Sequence, residues 1–141
     1  VDLPMVVDAD GLNILAMKPE IISNPPAPRI LTPHPGEMAR LTGLHSHHIQ
    51  ENRLIAASRF SSAGPNPSQN ITLVLKGAGT IICDPEGSWA INTTGNPGMA
   101  SGGMGDVLAG LIGGLSAQGY SPAHAARFGV YIHGLAADRL A

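Results

Sequence analysis

Short apolar runs alternate with stretches of helical periodicity along this chain. The apolar runs predict buried or edge strands over residues 4–8, 29–32, 71–75, 80–83 and 89–92. Helical periodicity predicts helices over residues 14–17, 37–41, 46–61, 106–117 and 122 to the end. Strands that alternate with helices in this way indicate an α/β fold with a layered sheet.

Proline, glycine and polar residues predict where these elements begin and end. We expect a turn over residues 9–13, an extended segment over the prolines of 23–28, and a surface loop over 64–68. Gly43 is expected to end the helix of 37–41, and Ser46 to cap the next helix. That helix should bury one apolar face, formed by Ile49, Leu54, Ile55, Ala56 and Phe60.

The most distinctive stretch is residues 95–106, which holds five glycines and runs directly into a helical pattern. Glycines spaced this closely allow sharp turns and close approach of the backbone to a ligand. The free N–H groups at a helix start favour an anion, and Asp106 places a carboxylate beside them. We interpret the stretch as a phosphate-binding turn with a catalytic acid–base residue. The alternative is an acid favoured by the helix dipole alone, which contributes roughly 0.3–1 kcal/mol.

Three more polar or glycine-rich segments follow predicted strands: residues 8–10, 34–37 and 76–80. Ligands of open α/β sheets bind beyond the carboxyl ends of the strands, so we expect all four segments to line one site. Each has a simpler alternative. Residues 76–80 lack the spacing of a Walker A loop and could form a plain β-turn. His34, fixed between two prolines, could be structural, and Asp8 and Asp10 could hold a turn through Asx hydrogen bonds.

Composition narrows the class of protein. The chain has 141 residues, is 43% hydrophobic and 13% charged, and carries a formal net charge of −2. With two lysines only, it is unsuited to nucleic acid or an acidic membrane as its main partner. The single cysteine, Cys83, fits a reducing compartment, so we expect a cytoplasmic location.

The histidine cluster His45, His47 and His48 raises the hypothesis of a metal site. Neighbouring and i+2 positions do not share a helix face, and no cysteine or carboxylate completes a ligand set, so we assign no metal ligands. Cys83, His133 and Asp138 are interpreted as packing residues. Because the chain begins almost directly on a strand and ends within a helical pattern, we expect it to be a piece of a longer protein.

Four motifs, taken together, closely resemble the C-terminal half of the ADP/ATP-dependent NAD(P)H-hydrate dehydratase family, which belongs to the ribokinase-like superfamily. They occur in order at residues 7–13, 31–37, 74–80 and 95–110. Residues 96–100, ahead of 102–106, distinguish this family from related sugar and vitamin kinases. The resemblance implies a ribokinase-like layered fold, with a mostly parallel sheet flanked by helices and present only in part. Residues 1–141 would form the C-terminal portion of one such domain.

The resemblance also implies an activity: ADP-dependent dehydration of the S epimer of hydrated NADH or NADPH, a hydro-lyase reaction by phosphorylation and elimination. Asp106 would be the base and contact the hydrated nicotinamide, and His34 would contact the same substrate. Residues that would bind the nucleotide are Lys76, Gly77, Ala78, Gly79, Thr80 and Gly105. Candidates for stabilising the transferring anion are Gly102, Gly103 and Met104.

The family resemblance further implies Mg²⁺, ADP as co-substrate and a homo-oligomer, most often a tetramer. Residues 34–37 look like those of the prokaryotic branch, which favours ADP over ATP. His34 stands where related kinases often have an asparagine, so no magnesium role is assigned to Glu37. Two other functions stay open: a small-molecule kinase on the same fold, and a nucleotide-binding fragment without catalysis.

Overall fold

The computed structural model describes residues 2–23, 25–62 and 70–141. Within them, five strands form one sheet in chain order: β1 Met5–Val7, β2 Arg29–Leu31, β3 Ile71–Leu75, β4 Ile81–Cys83 and β5 Trp89–Ile91. Val6 pairs with Ile30 and Ile30 with Thr72 in the parallel part, and β4 lies antiparallel between β3 and β5. Four of the five strands therefore point the same way, which confirms the prediction of a mostly parallel sheet.

In the described ranges, six helices cover the sheet: α1 Asp10–Met17, α2 Pro35–Thr42, α3 Ser46–Glu51, α4 Arg53–Ser62, α5 Met104–Ala117 and α6 Pro122–Asp138. Single 3₁₀ turns occur at Pro19–Ile21 and Pro97–Met99. Gly43 ends α2 in the left-handed conformation, with φ 70°, as predicted. The predicted turn over 9–13 is wrong from residue 10 onward, because the N–H of Asn13 already bonds to the carbonyl of Ala9 as α1 begins.

The single helix predicted over residues 46–61 is wrong, because the helical path breaks at Asn52 (φ −136°, ψ 49°). Ser46 is the first residue of α3 rather than its cap, and His45 precedes it without a side-chain capping bond. The break also changes which residues face the core: Ile55 is 51% exposed, whereas Ala57 is buried. The predicted loop at 64–68, and residue 24 of the predicted extended segment, lie outside the described residues.

Two apolar layers enclose the sheet, because successive side chains of a strand point to opposite faces. Helices α1 to α4 cover one face, where the core comprises Leu12, Leu31, Met38, Ile49, Ala57, Ile71, Leu73, Leu75, Ile81 and Cys83. Helices α5 and α6 cover the other, with Ile30, Val74, Ile82, Leu108, Ile112, Ala125, Ala126 and Val130. This α/β/α layering leaves the ends of the strands free to carry a site. Among the described helices, none is sufficiently long and apolar to cross a bilayer.

Helix α6 packs directly on the backbone that follows β5. A Cβ on Gly134 would lie 2.3 Å from Thr94 Oγ1, 2.7 Å from the Thr94 carbonyl carbon and 2.9 Å from the Gly95 nitrogen. Backbone atoms cannot move aside cheaply, so this contact requires glycine.

We predict that Gly134→Ala lowers the free energy of unfolding by about 1–3 kcal/mol, because the added methyl group overlaps backbone. Gly114→Ala in α5 is the matched control, since nothing lies within 4 Å of its Cβ position. The control should stabilise the protein by about 0.5–1 kcal/mol, because alanine replaces a helical glycine. Urea denaturation measures both changes, and equal effects of the two substitutions would contradict the packing contact.

Cys83 is 1% exposed, and burial raises the pKa of its thiol. The low exposure keeps a reagent away from the sulfur, and the raised pKa disfavours the thiolate, which is the reactive form. We therefore expect no reaction of the native protein with a chromogenic disulfide reagent at pH 7.5, and one equivalent of thiol after unfolding in guanidinium. Rapid reaction of the native protein would place Cys83 at the surface.

Candidate functional site

The carboxyl ends of β1, β2 and β3 lie at one edge of the sheet. The N–H of Thr32 bonds to the Val7 carbonyl at 3.2 Å, and the N–H of Lys76 to the Pro33 carbonyl at 2.8 Å, so the segments that follow the strands stay side by side. The antiparallel hairpin turn of residues 76–80 closes the same edge.

Lys76 lies at the centre of this edge. Its Nζ is 2.8 Å from Asp8 Oδ1 and 3.9 Å from Glu37 Oε2, and the three side chains are 20%, 13% and 7% exposed, respectively. A Cβ on Gly105 would lie 3.4 Å from both Asp8 Oδ2 and Lys76 Nζ. The prediction that the four segments share one edge is therefore confirmed. Asp8 Oδ1 accepts a hydrogen bond from Lys76, which lies 68 residues further along the chain. This contact takes the place of the Asx turn considered for Asp8.

Ala9 follows Asp8 in a strained backbone conformation. Its φ is 47°, and among the described residues it is the non-glycine residue with positive φ. Such conformations cost about 1–3 kcal/mol and persist where surrounding contacts fix them, often at functional sites. Here the strain lies between the ion-paired carboxylate and the first turn of α1.

His34 caps helix α2. Its Nδ1 accepts from the N–H groups of Gly36 and Glu37, at 3.0 and 3.3 Å, and Glu37 Oε2 accepts from the His34 N–H at 2.8 Å. This is a capping box in which the ring takes the usual place of serine or threonine. The His34 side chain is nevertheless 51% exposed, so its outer ring edge is open to a ligand. The structural interpretation of His34 is thus established, and a substrate contact stays a prediction.

The glycine-rich stretch leads into α5 as predicted. Asn96 Oδ1 caps the 3₁₀ turn Pro97–Met99, and Gly103, with φ 88°, is the N-cap residue of α5. The N–H groups of Met104 and Val107 bond to the Ser101 and Gly103 carbonyls, at 3.4 and 3.1 Å. Within the described residues, no acceptor engages the N–H groups of Gly105 and Asp106, and the Asp106 side chain in this first turn is exposed. These are the features expected of an anion site with an accessible base.

Arg53, the first residue of α4, is a feature that the sequence did not indicate. Its Nη1 donates to the Ala78 carbonyl, and its Nη2 donates to the carbonyls of Leu75 and Lys76, at 3.1 and 3.3 Å. The turn that it grips contains Gly77 and Gly79, with φ 143° and 62°. A lone arginine in a helical pattern gives no sequence signal, because its partners lie more than 20 residues away.

Asp138 was predicted to be a packing residue, and this is wrong. From the end of α6 its Oδ2 accepts from the Gly95 N–H at 2.8 Å, and its Oδ1 from Asn96 Nδ2 at 3.3 Å. Asp138 thereby fixes the start of the glycine-rich stretch. The packing assignments of His133 and Cys83 are confirmed by their burial, and burial lowers the pKa of His133.

The described residues contain no group of three or more His, Cys, Asp and Glu side chains placed to hold a metal ion. In the histidine cluster, His47 Nε2 lies 3.1 Å from Glu51 Oε1, and the rings of His45 and His48 meet edge to face. At the sheet edge, the carboxylates of Asp8 and Glu37 already contact Lys76. These residues fit Mg²⁺ only as an ion carried mainly by nucleotide phosphates and water, which is its usual mode in phosphoryl-transfer sites.

A cavity of about 260 Å³ lies at the opposite edge of the sheet, near the starts of β2 and β3 and of α6. Its polar lining includes Asn70, Thr72 and Ser121, and Glu86 is the ionisable residue among its lining groups. None of the residues predicted to act in catalysis or nucleotide binding lies there. The residues predicted to act in catalysis and nucleotide binding therefore place the candidate site at the carboxyl edge of the sheet.

Comparison with known proteins gives the same family from sequence and structure. The sequence model of the NAD(P)H-hydrate dehydratase family matches residues 1–141. A bifunctional NAD(P)H-hydrate repair enzyme of Moorella thermoacetica is 49% identical over 141 residues, which are 100% of this chain and 26% of the relative. The ADP-dependent (S)-NAD(P)H-hydrate dehydratase of Neisseria meningitidis is 41% identical over 139 residues, covering 97% of this chain and 45% of its own.

Solved structures agree with the sequence matches. The ADP/ATP-dependent NAD(P)H-hydrate dehydratase of Bacillus subtilis, co-crystallised with ATP and Mg²⁺, superposes with a TM-score of 0.80 at 34% identity, over 99% of this chain and 47% of that protein. A ribokinase-like superfamily protein of Enterococcus faecalis gives 0.76 at 33% identity, over 96% and 44%. The predicted ribokinase-like fold is confirmed.

The chain spans between about a quarter and just under half of the length of these relatives. Within that span the match is continuous, and it includes every segment that meets at the carboxyl edge of the sheet. The chain therefore belongs to the NAD(P)H-hydrate dehydratase family.

Proposed function

We propose that this chain is the C-terminal portion of a dehydratase domain that restores hydrated NADH or NADPH to the working cofactor. The reaction would consume ADP and act on the S epimer. The observation that carries the proposal is the position of Asp106, exposed in the first turn of α5 beside N–H groups that have no acceptor among the described residues. Its neighbour Gly105 lies against the Lys76–Asp8 pair, since a Cβ on Gly105 would be 3.4 Å from Asp8 Oδ2 and from Lys76 Nζ.

Asp106 would act as the general base. It would take the proton of the substrate hydroxyl, whose oxygen then attacks the terminal phosphoryl group of ADP and displaces AMP. The phosphorylated group then departs as phosphate, and the neighbouring ring carbon loses a proton to water as the ring double bond re-forms. A poor leaving group, hydroxide, has thus been replaced by a good one. An exposed carboxylate at a helix start suits this step, because a base needs hydrogen-bond reach to the proton that it removes.

The chain offers donors for the negative charge that is transferred. The N–H groups of Gly105 and Asp106 point out of the start of α5, and we propose that residues 102–104 bring the backbone close to the phosphoryl group. Donors fixed in advance lower the barrier of phosphoryl transfer, since they need no reorganisation in the transition state. Mg²⁺ bound to the nucleotide would neutralise further phosphate charge.

The remaining predicted contacts come from two other segments at the same edge of the sheet. We propose that residues 76–80 lie along the nucleotide phosphates and that the exposed edge of His34 contacts the hydrated dinucleotide. His34 can do so while its Nδ1 caps α2 and its Nε2 lies 3.5 Å from Glu37 Oε1, because half of its side chain stays exposed.

We predict that Asp106→Asn lowers kcat at least 100-fold, because general-base catalysis typically contributes 10²- to 10⁴-fold. The amide keeps the shape of the side chain, so the Kd for ADP should stay within about threefold of wild type. The assay follows the recovery of NADH absorbance from hydrated NADH in the complete gene product, with calorimetry for ADP. Glu20→Gln, which removes an exposed carboxylate away from the site, is the matched control.

The same assay separates the alternative functions. Unchanged turnover in Asp106→Asn would remove this residue as the base. Phosphorylated small-molecule product, with no activity on hydrated NADH, would indicate a kinase. ADP binding without turnover of either substrate class would indicate a nucleotide-binding protein without catalysis.

A further inference from the structure

The contacts of Arg53 all lie on one side of the turn between β3 and β4. One guanidinium donates to the carbonyls of Leu75, Lys76 and Ala78. A Cβ on Gly77 would lie 2.9 Å from its Nη2, so the turn and the guanidinium are packed together. Arg53, at the start of α4, thus holds the carbonyls of the last residue of β3 and of two residues of the turn, and it packs against Gly77 between them.

These contacts fix the direction of the turn's N–H groups as well. The structure contains no cis peptide bond among its described residues, and in a trans peptide the N–H points opposite to the carbonyl of the same plane. The Lys76 N–H shows the rule, since it bonds to Pro33 while the Leu75 carbonyl faces Arg53. The N–H groups of Gly77 and Gly79 must therefore point away from α4.

Neither of these two N–H groups has an acceptor within the described part of the chain. Outward N–H groups of a turn, here at two glycines with positive φ that one residue separates, can form a concave donor surface of the kind that binds phosphate. Unclamped, the same turn could rotate a peptide plane and present a carbonyl, which repels phosphate. Arg53 is charged and partly buried, and hydrogen bonds from a charged donor are stronger than neutral ones.

We propose that Arg53 is a positioning residue for the nucleotide: it turns three carbonyls away from the phosphates and leaves the N–H groups of Gly77 and Gly79 facing them. This inference rests on the proposed nucleotide site at residues 76–80.

The test compares ADP with adenosine in the complete gene product, by calorimetry with Arg53→Lys and Arg53→Met. Lysine keeps the charge but cannot bridge three carbonyls, so both variants should raise the Kd for ADP about 10- to 100-fold. The Kd for adenosine, which lacks phosphates, should change less than threefold. Arg59→Met, on an exposed position of the same helix, is the matched control and should leave both values unchanged.

If Arg53→Met does not fold, Arg53→Lys still tests the inference, and a second measurement tests the guanidinium itself by adding it back. Arg53→Ala should regain part of its affinity for ADP when methylguanidinium is added at millimolar concentration, because the free cation can occupy the vacated position. Wild type and Arg59→Met should show no such gain.

Two results would overturn the inference: an ADP affinity of Arg53→Lys within twofold of wild type, or equal losses for ADP and adenosine. Failure of the proposed function looks different, since the wild-type protein would then show no turnover of hydrated NADH, whether or not it binds ADP. Normal wild-type turnover together with a normal Arg53→Lys would reject the role of Arg53 alone.

Discussion

The ion pair between Lys76 and Asp8 is the interaction on which the candidate site depends. It joins the end of β3 to the end of β1 across β2, at a distance of 2.8 Å between two largely buried side chains. Removing such charges from water is costly unless each has a close partner, so the loss of either residue would leave the charge of the other poorly compensated. Glu37 adds a second carboxylate at 3.9 Å, which keeps the lysine side chain directed along the edge.

Side chains from the helices then fix each loop of this edge in one conformation. Arg53 holds the β3–β4 turn, Asp138 holds the start of the glycine-rich stretch, and His34 with Glu37 fixes the start of α2. All three use charged or ring groups to satisfy backbone donors or acceptors that a loop otherwise exposes to water. The result is an edge at which the N–H groups of Gly77, Gly79, Gly105 and Asp106 have no acceptor within the described part of the chain.

Local patterns predicted most of the fold. All five strands were located because apolar runs and the turn residues between them are short-range features, and α5 and α6 followed from their periodicity and flanking glycine or proline. The prediction failed where local signals compete. Residues 10–13 read as a turn because Asp, Gly and Asn favour turns, but their backbone hydrogen bonds continue into α1. The break at Asn52 was missed because the apolar spacing on both sides suits a single helix.

By itself, the sequence determined the α/β class, the family, and the four segments that carry the candidate chemistry, because composition, periodicity and motif spacing are properties of neighbouring residues. Only the tertiary structure decided which side chains meet. The partners of Asp8, Arg53 and Asp138 lie 68, 22–25 and 42–43 residues away. Such contacts depend on strand order, register and helix packing, and no local pattern records them. The glycine-rich stretch could be recognised from its residues, but its first two residues, Gly95 and Asn96, are held by the carboxylate of Asp138 at the C-terminal end of α6.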